Sequence, residues 1–162
     1  MPKAKKYHTC PPWVIDPTHQ YVITMSTDRG EVVVQLYPEK APLAVNNFVF
    51  LARSGWYDGI TFHQVNAGFV IQSGDPSGTG YGNPGYYFPS EVAPGLTFEH
   101  PGMLAMSNAG TDTNGSIFFI TFAPATHLAG QFTIFGEVLT GMEVLNSLVE
   151  GEILNSMTVD ER

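Results

Sequence analysis

Short runs of β-branched and aromatic residues recur along this chain, each soon cut off by Gly, Asn, Asp or Pro, and only two stretches carry helical spacing. A chain with many short strands and few helices buries its apolar faces as a sandwich or barrel. Tyr21–Thr27 and Glu31–Tyr37 flank Asp28-Arg29-Gly30, a β-hairpin signal. Further strands are expected at Ile60–Val65, Phe69–Gln72, Met103–Ser107, Phe118–Phe122, Phe132–Val138 and Ile153–Val159. Pro42 suits the first turn of a helix whose apolar face is Val45, Phe48, Val49 and Ala52, with Gly55 placed to end it. Met142, Leu145, Leu148 and Val149 predict a second, shorter helix. Between Gly74 and Gly95 the chain is rich in Gly and Pro; a loop of that length in a compact domain is functional or wraps the surface.

With 162 residues, 43% of them hydrophobic, the chain has material for one domain. Residues 1–20 read as an extension strapped on through Trp13, Val14 and Ile15, and residues 21–162 as the domain. Beyond residue 20 only Arg29, Lys40, Arg53 and Arg162 oppose fourteen acidic residues, so a nucleic acid would be repelled. No run of ~18 apolar residues exists to span a membrane. Cys10 is the single cysteine, which excludes an intrachain disulfide and a thiolate metal cage and suits a reducing compartment. Met1–Lys6 has the charge of a signal peptide's start but no apolar run follows, so a cytoplasmic monomer is expected.

Several motifs lead nowhere. Gly78-Thr-Gly80-Tyr-Gly82 lacks the Gly-Lys-Ser/Thr of a phosphate loop. Asp112-Thr-Asn114-Gly115 reads as a turn, since Thr121 stands where a calcium loop needs a bidentate Glu. The five histidines are dispersed, and no Gly-x-Ser-x-Gly elbow is present. Neither a metal nor a cofactor is expected.

Three stretches remain: Phe62-His63-Gln64-Val65-Asn66-Ala67-Gly68-Phe69-Val70-Ile71-Gln72-Ser73-Gly74-Asp75, Ser107 to Ile120 with its Asn108-Ala109-Gly110 and Asn114-Gly115-Ser116, and His127 to Val138. Together they resemble the cyclophilins, the cyclosporin-binding peptidyl-prolyl isomerases, over roughly residues 21 to 150. The resemblance implies a closed eight-stranded antiparallel barrel with two capping helices. It also implies an isomerase that acts on Xaa-Pro bonds, assists protein folding, needs no cofactor and has proline-containing peptides or proteins as partners. Phe69, Gln72, Asn108, Ala109, Phe119 and Leu128 match the family's proline pocket and adjoining groove, with Ser107 beside them. Val70 stands where methionine is common, and His63 matches the residue beside the catalytic arginine. That arginine is Gln64 here. Ile117 replaces a groove glutamine, His127 a rim tryptophan or phenylalanine, and Phe132 a histidine. From pattern alone, Phe69, Phe119 and Leu128 would be read as barrel core and Gln64 as an outward-facing strand residue.

Rotation about an Xaa-Pro bond is slow because amide resonance sets a barrier of roughly 18–20 kcal/mol. Lowering it needs no covalent step, only tighter binding of the twisted amide than of either planar form. The family's arginine is placed to donate to the prolyl nitrogen, which regains its lone pair in the twisted state. Gln64 can donate through its carboxamide, but it is neutral, shorter and lacks the guanidinium fork. An attenuated isomerase with Gln64 in the catalytic position is therefore expected; the alternative is a module that binds proline peptides without accelerating them.

Overall fold

The computed structural model describes residues 6–162; residues 1–5, with most of the basic N-terminal run, lie outside the described part. The elements are β1 (Tyr21–Thr27), β2 (Gly30–Leu36), α1 (Pro42–Arg53), β3 (Ile60–Thr61), β4 (Gln64–Asn66), β5 (Val70–Ser73), β6 (Met103–Met106), β7 (Phe118–Thr121), β8 (Ile134–Thr140), α2 (Met142–Ser147) and β9 (Ile153–Glu161). All nine strands join one antiparallel sheet in the order β3-β9-β1-β2-β8-β6-β7-β5-β4.

Nine strands replace the expected eight because the run Ile60–Val65 changes partner midway. Ile60 and Thr61 pair with β9, and Phe62 continues that side by donating to Glu152 O (2.9 Å) and accepting from Gly151 N (2.9 Å). From Gln64 the chain pairs instead with β5. The two ends of the strand order are thus consecutive pieces of chain, separated only by Phe62 and His63.

Alternation along the hairpin sends Ile23 and Met25 of β1 and Val32, Val34 and Leu36 of β2 into the core. Across this core lies α1, which buries Val45, Phe48, Val49, Leu51 and Ala52. Its Phe48 ring packs against Tyr57 (5.1 Å), Phe118 (5.3 Å) and Phe135 (5.0 Å). Ala41, the residue before the helix, offers no side-chain cap. The first-turn donors are met from a distance: Glu91 accepts from Leu43 N (3.0 Å) and Ala44 N (2.8 Å). Burial pushes the Glu91 carboxyl above its ordinary range, and those two amides offset part of the shift. The shorter α2 buries Leu145, with Leu148 buried just past its end, whereas Val149 is exposed rather than on the apolar face.

The extension straps onto the domain through Val14 and Ile15, as expected, but not through Trp13. Trp13 is 54% exposed, because its neighbours are held by their backbone: Asn46 of α1 accepts from Val14 N (2.7 Å) and donates to Pro12 O (3.0 Å). Ile15 is buried, and Tyr7 supplies the aromatic anchor.

Where the extension meets β1, Glu161 of β9 accepts from His19 Nδ1 (2.7 Å), Arg53 (2.9 Å) and the Tyr21 hydroxyl (2.9 Å). These hydrogen bonds hold the Glu161 carboxyl down at about 2, and the same bond raises the His19 imidazole, which also faces Asp16 at 3.5 Å. A lowered carboxylate contributes stability that is complete above its ordinary 4.5 and lost toward its folded value. A raised imidazole contributes stability that is complete below 6.5 and lost as pH rises through its folded value. Protection of the mutually bonded Gln20 and Arg162 amides is therefore expected to peak between pH 4.5 and 6.5. Hydrogen exchange, corrected for intrinsic rates, measures it; a flat profile would contradict the coupling, and Glu161→Gln should remove the acid limb.

Candidate active site

A second apolar cluster forms on the outer face of the sheet. In β5, β6 and β7, Ile71, Leu104 and Ile120 face the main core, while Val70, Met103, Ala105 and Phe119 face outward into a cluster with Phe98, Ala125 and Ile134. These strands are buried on both faces, so their sequence reads as continuous apolar runs. Strand register sets one row across them, Gln64–Gln72–Phe119–Ala105–Ile134, each residue the partner of the next.

Phe119 is the floor of this row. It is 4% exposed, stacked on Phe98 at 5.8 Å and met edge-on by Phe132 at 5.3 Å. Leu128 and Phe132 pack around the same cluster while remaining partly accessible. Phe69, which donates no burial to the core, is 37% exposed and stacked on His127 at 5.8 Å. A 3-10 turn at Thr126–Leu128 carries His127 and Leu128, and Gln131 Nε2 donates to His127 O (3.0 Å).

Gln64 and Gln72 are half-buried register partners, and among the described residues neither carboxamide has a protein hydrogen-bond partner. No arginine reaches the row from elsewhere: Arg29 pairs with Glu152, Arg53 with Glu161 and Arg162 with Asp160. His63 turns the other way, as alternation requires, and packs beneath Gly80. Burial lowers its imidazole pKa, and its Nδ1 is buried without a partner among the described residues.

Ser107, Asn108, Ala109 and Ile117 stand beside the row rather than in it, and Asn108 also borders a second cavity with Phe132. All four line an adjoining cavity of about 340 Å³ whose far wall is Gly80–Asn83 and Tyr87. Sequence reasoning missed this wall, although it lies in the long Gly/Pro segment. Its shape comes from Asp75, a buried carboxylate that accepts from the amides of Ser77 (2.9 Å), Gly80 (2.7 Å) and Gly82 (3.1 Å). Burial raises the Asp75 carboxyl, but the bonds to Ser77, Gly82 and Gly80 outweigh it and leave the group below its ordinary value. The glycine-rich loop therefore spends its amides on the chain's own carboxylate rather than on a phosphate.

Asn114 was also missed as a positioning residue. Fully buried, it donates to Phe88 O (3.1 Å) and Ser90 Oγ (3.1 Å) and accepts from Asn108 Nδ2 (3.1 Å). Asn114→Ala is expected to cost about 1–3 kcal/mol through the buried groups left unpaired and to loosen Asn108. Chemical denaturation gives the first, and the Asn108 side-chain NMR signals the second; a neutral effect on both would contradict the role.

The sequence matches the family described as cyclophilin type peptidyl-prolyl cis-trans isomerase/CLD over residues 22–161. A peptidyl-prolyl cis-trans isomerase of Helicobacter pylori is 43% identical over 136 residues, 83% of each chain. Peptidyl-prolyl cis-trans isomerase B of Bacillus subtilis is 44% identical over 133 residues, 82% of this chain and 93% of its own length. A Cryptosporidium parvum cyclophilin-type isomerase superposes with a TM-score of 0.81 at 33% identity, covering 88% of this chain and 99% of that one. The same enzyme crystallised in the presence of the dipeptide Ala-Pro gives 0.80 at 34% identity, covering 87% and 99%. The nine-stranded antiparallel sheet with its two helices thus superposes on a cyclophilin-type isomerase over most of its length, and this chain belongs to the cyclophilin-type peptidyl-prolyl cis-trans isomerase family.

Proposed function

We propose that this chain isomerises Xaa-Pro bonds in peptides and unfolded proteins, with Gln64 as the donor to the twisted amide and Phe119 as the floor under the proline ring. The observation that carries this reading is the register row in which Gln64, Gln72 and Phe119 lie side by side, both carboxamides without a hydrogen-bond partner among the described residues. Phe69, Val70, Leu128, His127 and Phe132 complete the apolar surround, and Asn108, Ala109 and Ile117 border the adjoining cavity that takes the flanking peptide.

The row acts by geometry alone. An apolar ring seated on Phe119 gains burial, and the two carboxamides can hold the preceding peptide group by donating and accepting at once. A donor aimed at the prolyl nitrogen is used only as the bond twists, so it lowers the barrier without tightening the planar states. A peptide with one Xaa-Pro bond, relaxing after a solvent jump, should approach equilibrium at a rate linear in protein concentration. Saturable binding with an unchanged relaxation rate would instead establish the second reading, a non-catalytic proline-peptide module, which the missing arginine favours.

Closure of the sheet into a ring belongs to the same proposal. It is supported by the two-residue link between β3 and β4 and by Ser73 Oγ donating to Thr61 O (2.9 Å). A monomer in the cytoplasm without nucleic-acid or membrane partners fits the exposed free thiol of Cys10 and the acidic body.

A further inference from the structure

Residues 6–10 of the extension run beside residues 83–87 in a constant parallel offset. Lys6 Nζ donates to Asn83 O (2.6 Å), Tyr7 N to Pro84 O (2.8 Å) and Cys10 Sγ to Tyr87 O (3.7 Å). The approach at Tyr7 is close enough to dictate sequence: a Cβ on Gly85 would lie 2.0 Å from Tyr7 O, and Gly85 has φ +99°. Tyr7 is itself fixed, its ring against Phe50 (5.3 Å), Trp56 (6.2 Å) and Tyr86 (6.4 Å) and its hydroxyl on Ser54 Oγ (3.2 Å). On its other side the 83–86 segment rests on Gly115, whose added Cβ would meet Pro84 Cδ at 3.0 Å and Asn83 Cβ at 3.8 Å. Asn83, Tyr87 and Gly115 line the cavity that adjoins the proposed proline site.

We infer that the N-terminal strap is a specificity element: by clamping the 83–87 wall against Gly115, it sets the size of the side cavity and so which residue flanking the proline is accepted. The inference rests on the isomerase reading of the neighbouring row. Among the described residues the cavity's lining includes Tyr81, Tyr87, Asn83 and Ile117 and no Asp, Glu, Lys or Arg, a lining that suits a large neutral side chain. Tyr7 acts through the wall and touches no substrate; it is a positioning residue.

The test is a peptide series around a single Xaa-Pro bond in which each flanking position in turn is Phe or Ala, measured by NMR titration and by exchange kinetics. In the parent protein one position should favour Phe over Ala. Tyr7→Ala should shift that Phe/Ala ratio by about 2- to 30-fold, the coupling typical of contiguous packed networks, with the change falling in KM rather than kcat. Tyr7→Phe keeps the ring and should restore the parent ratio. Gly85→Ala pushes the strap away from the opposite side and should reproduce the Tyr7→Ala ratio, which covers the case in which Tyr7→Ala does not fold. An equal change for all peptides, or an unmoved ratio once the Tyr7 amide exchanges freely with solvent, overturns the inference while leaving the isomerase reading intact. Failure of the parent to bind any proline peptide would overturn both.

Discussion

Gln64→Arg is expected to raise kcat/KM for a proline peptide by about 10- to 10³-fold, because loss of a single transition-state donor typically costs 10²–10³ in rate. Position 64 sits directly opposite Gln72 and one strand further from Phe119, so a longer side chain there has the reach to cross Gln72 toward the proposed proline site. The guanidinium adds charge to the hydrogen bond, roughly doubling its strength, and brings a planar fork that the carboxamide lacks. No other arginine competes for the role, since all three are paired to carboxylates away from the site. The gain must appear in kcat as well as kcat/KM, because the added interaction forms as the amide twists. An improvement confined to KM would show that position 64 contributes only uniform binding.

Phe119→Ala is expected to have the largest effect on stability and to weaken peptide binding at the same time. The ring is almost wholly buried, stacked on Phe98 and wedged by Phe132, so its removal opens a cavity costing about 3–5 kcal/mol. For a domain of this size that lowers Tm by on the order of 10 °C. Calorimetry reads the first effect, and titration of a proline peptide reads the second. Phe119→Leu, which keeps most of the volume, separates them: its fold should survive with reduced affinity. Undiminished binding by either folded variant would place the proline pocket somewhere other than on Phe119.

Much of the fold was legible because the strands are bounded by turn residues and the hairpin alternates cleanly. Pro42 and Gly55 marked α1 to within a residue or two, since one is tolerated at N1 and the other ends the run at φ +79°. The break at Phe62–His63 was not legible. Nothing local interrupts Ile60–Val65; the partner changes because β9 and β5 claim opposite halves of it. Trp13 misled for a related reason, as the strap is held by backbone bonds to Asn46, which hydropathy does not register. In the site, the resemblance identified Phe119, Gln72 and Gln64, and strand register brought them into one row. It did not reveal the far wall of the adjoining cavity that Ser107, Asn108, Ala109 and Ile117 line, because that wall comes from a loop folded around the Asp75 carboxylate. Glu91 and Asn114 were equally silent: a distant cap and a buried amide leave no periodic signal.

The central claim is that a cyclophilin-type scaffold with glutamine in the arginine position still accelerates proline isomerisation. Exchange spectroscopy on a peptide with one Xaa-Pro bond, at a protein concentration far below that of the peptide, tests it most directly. Cis–trans cross-peaks are expected that are absent without protein, strengthen in Gln64→Arg and disappear in folded Phe119→Ala. Shift changes from binding with no exchange cross-peaks in the parent protein would contradict it.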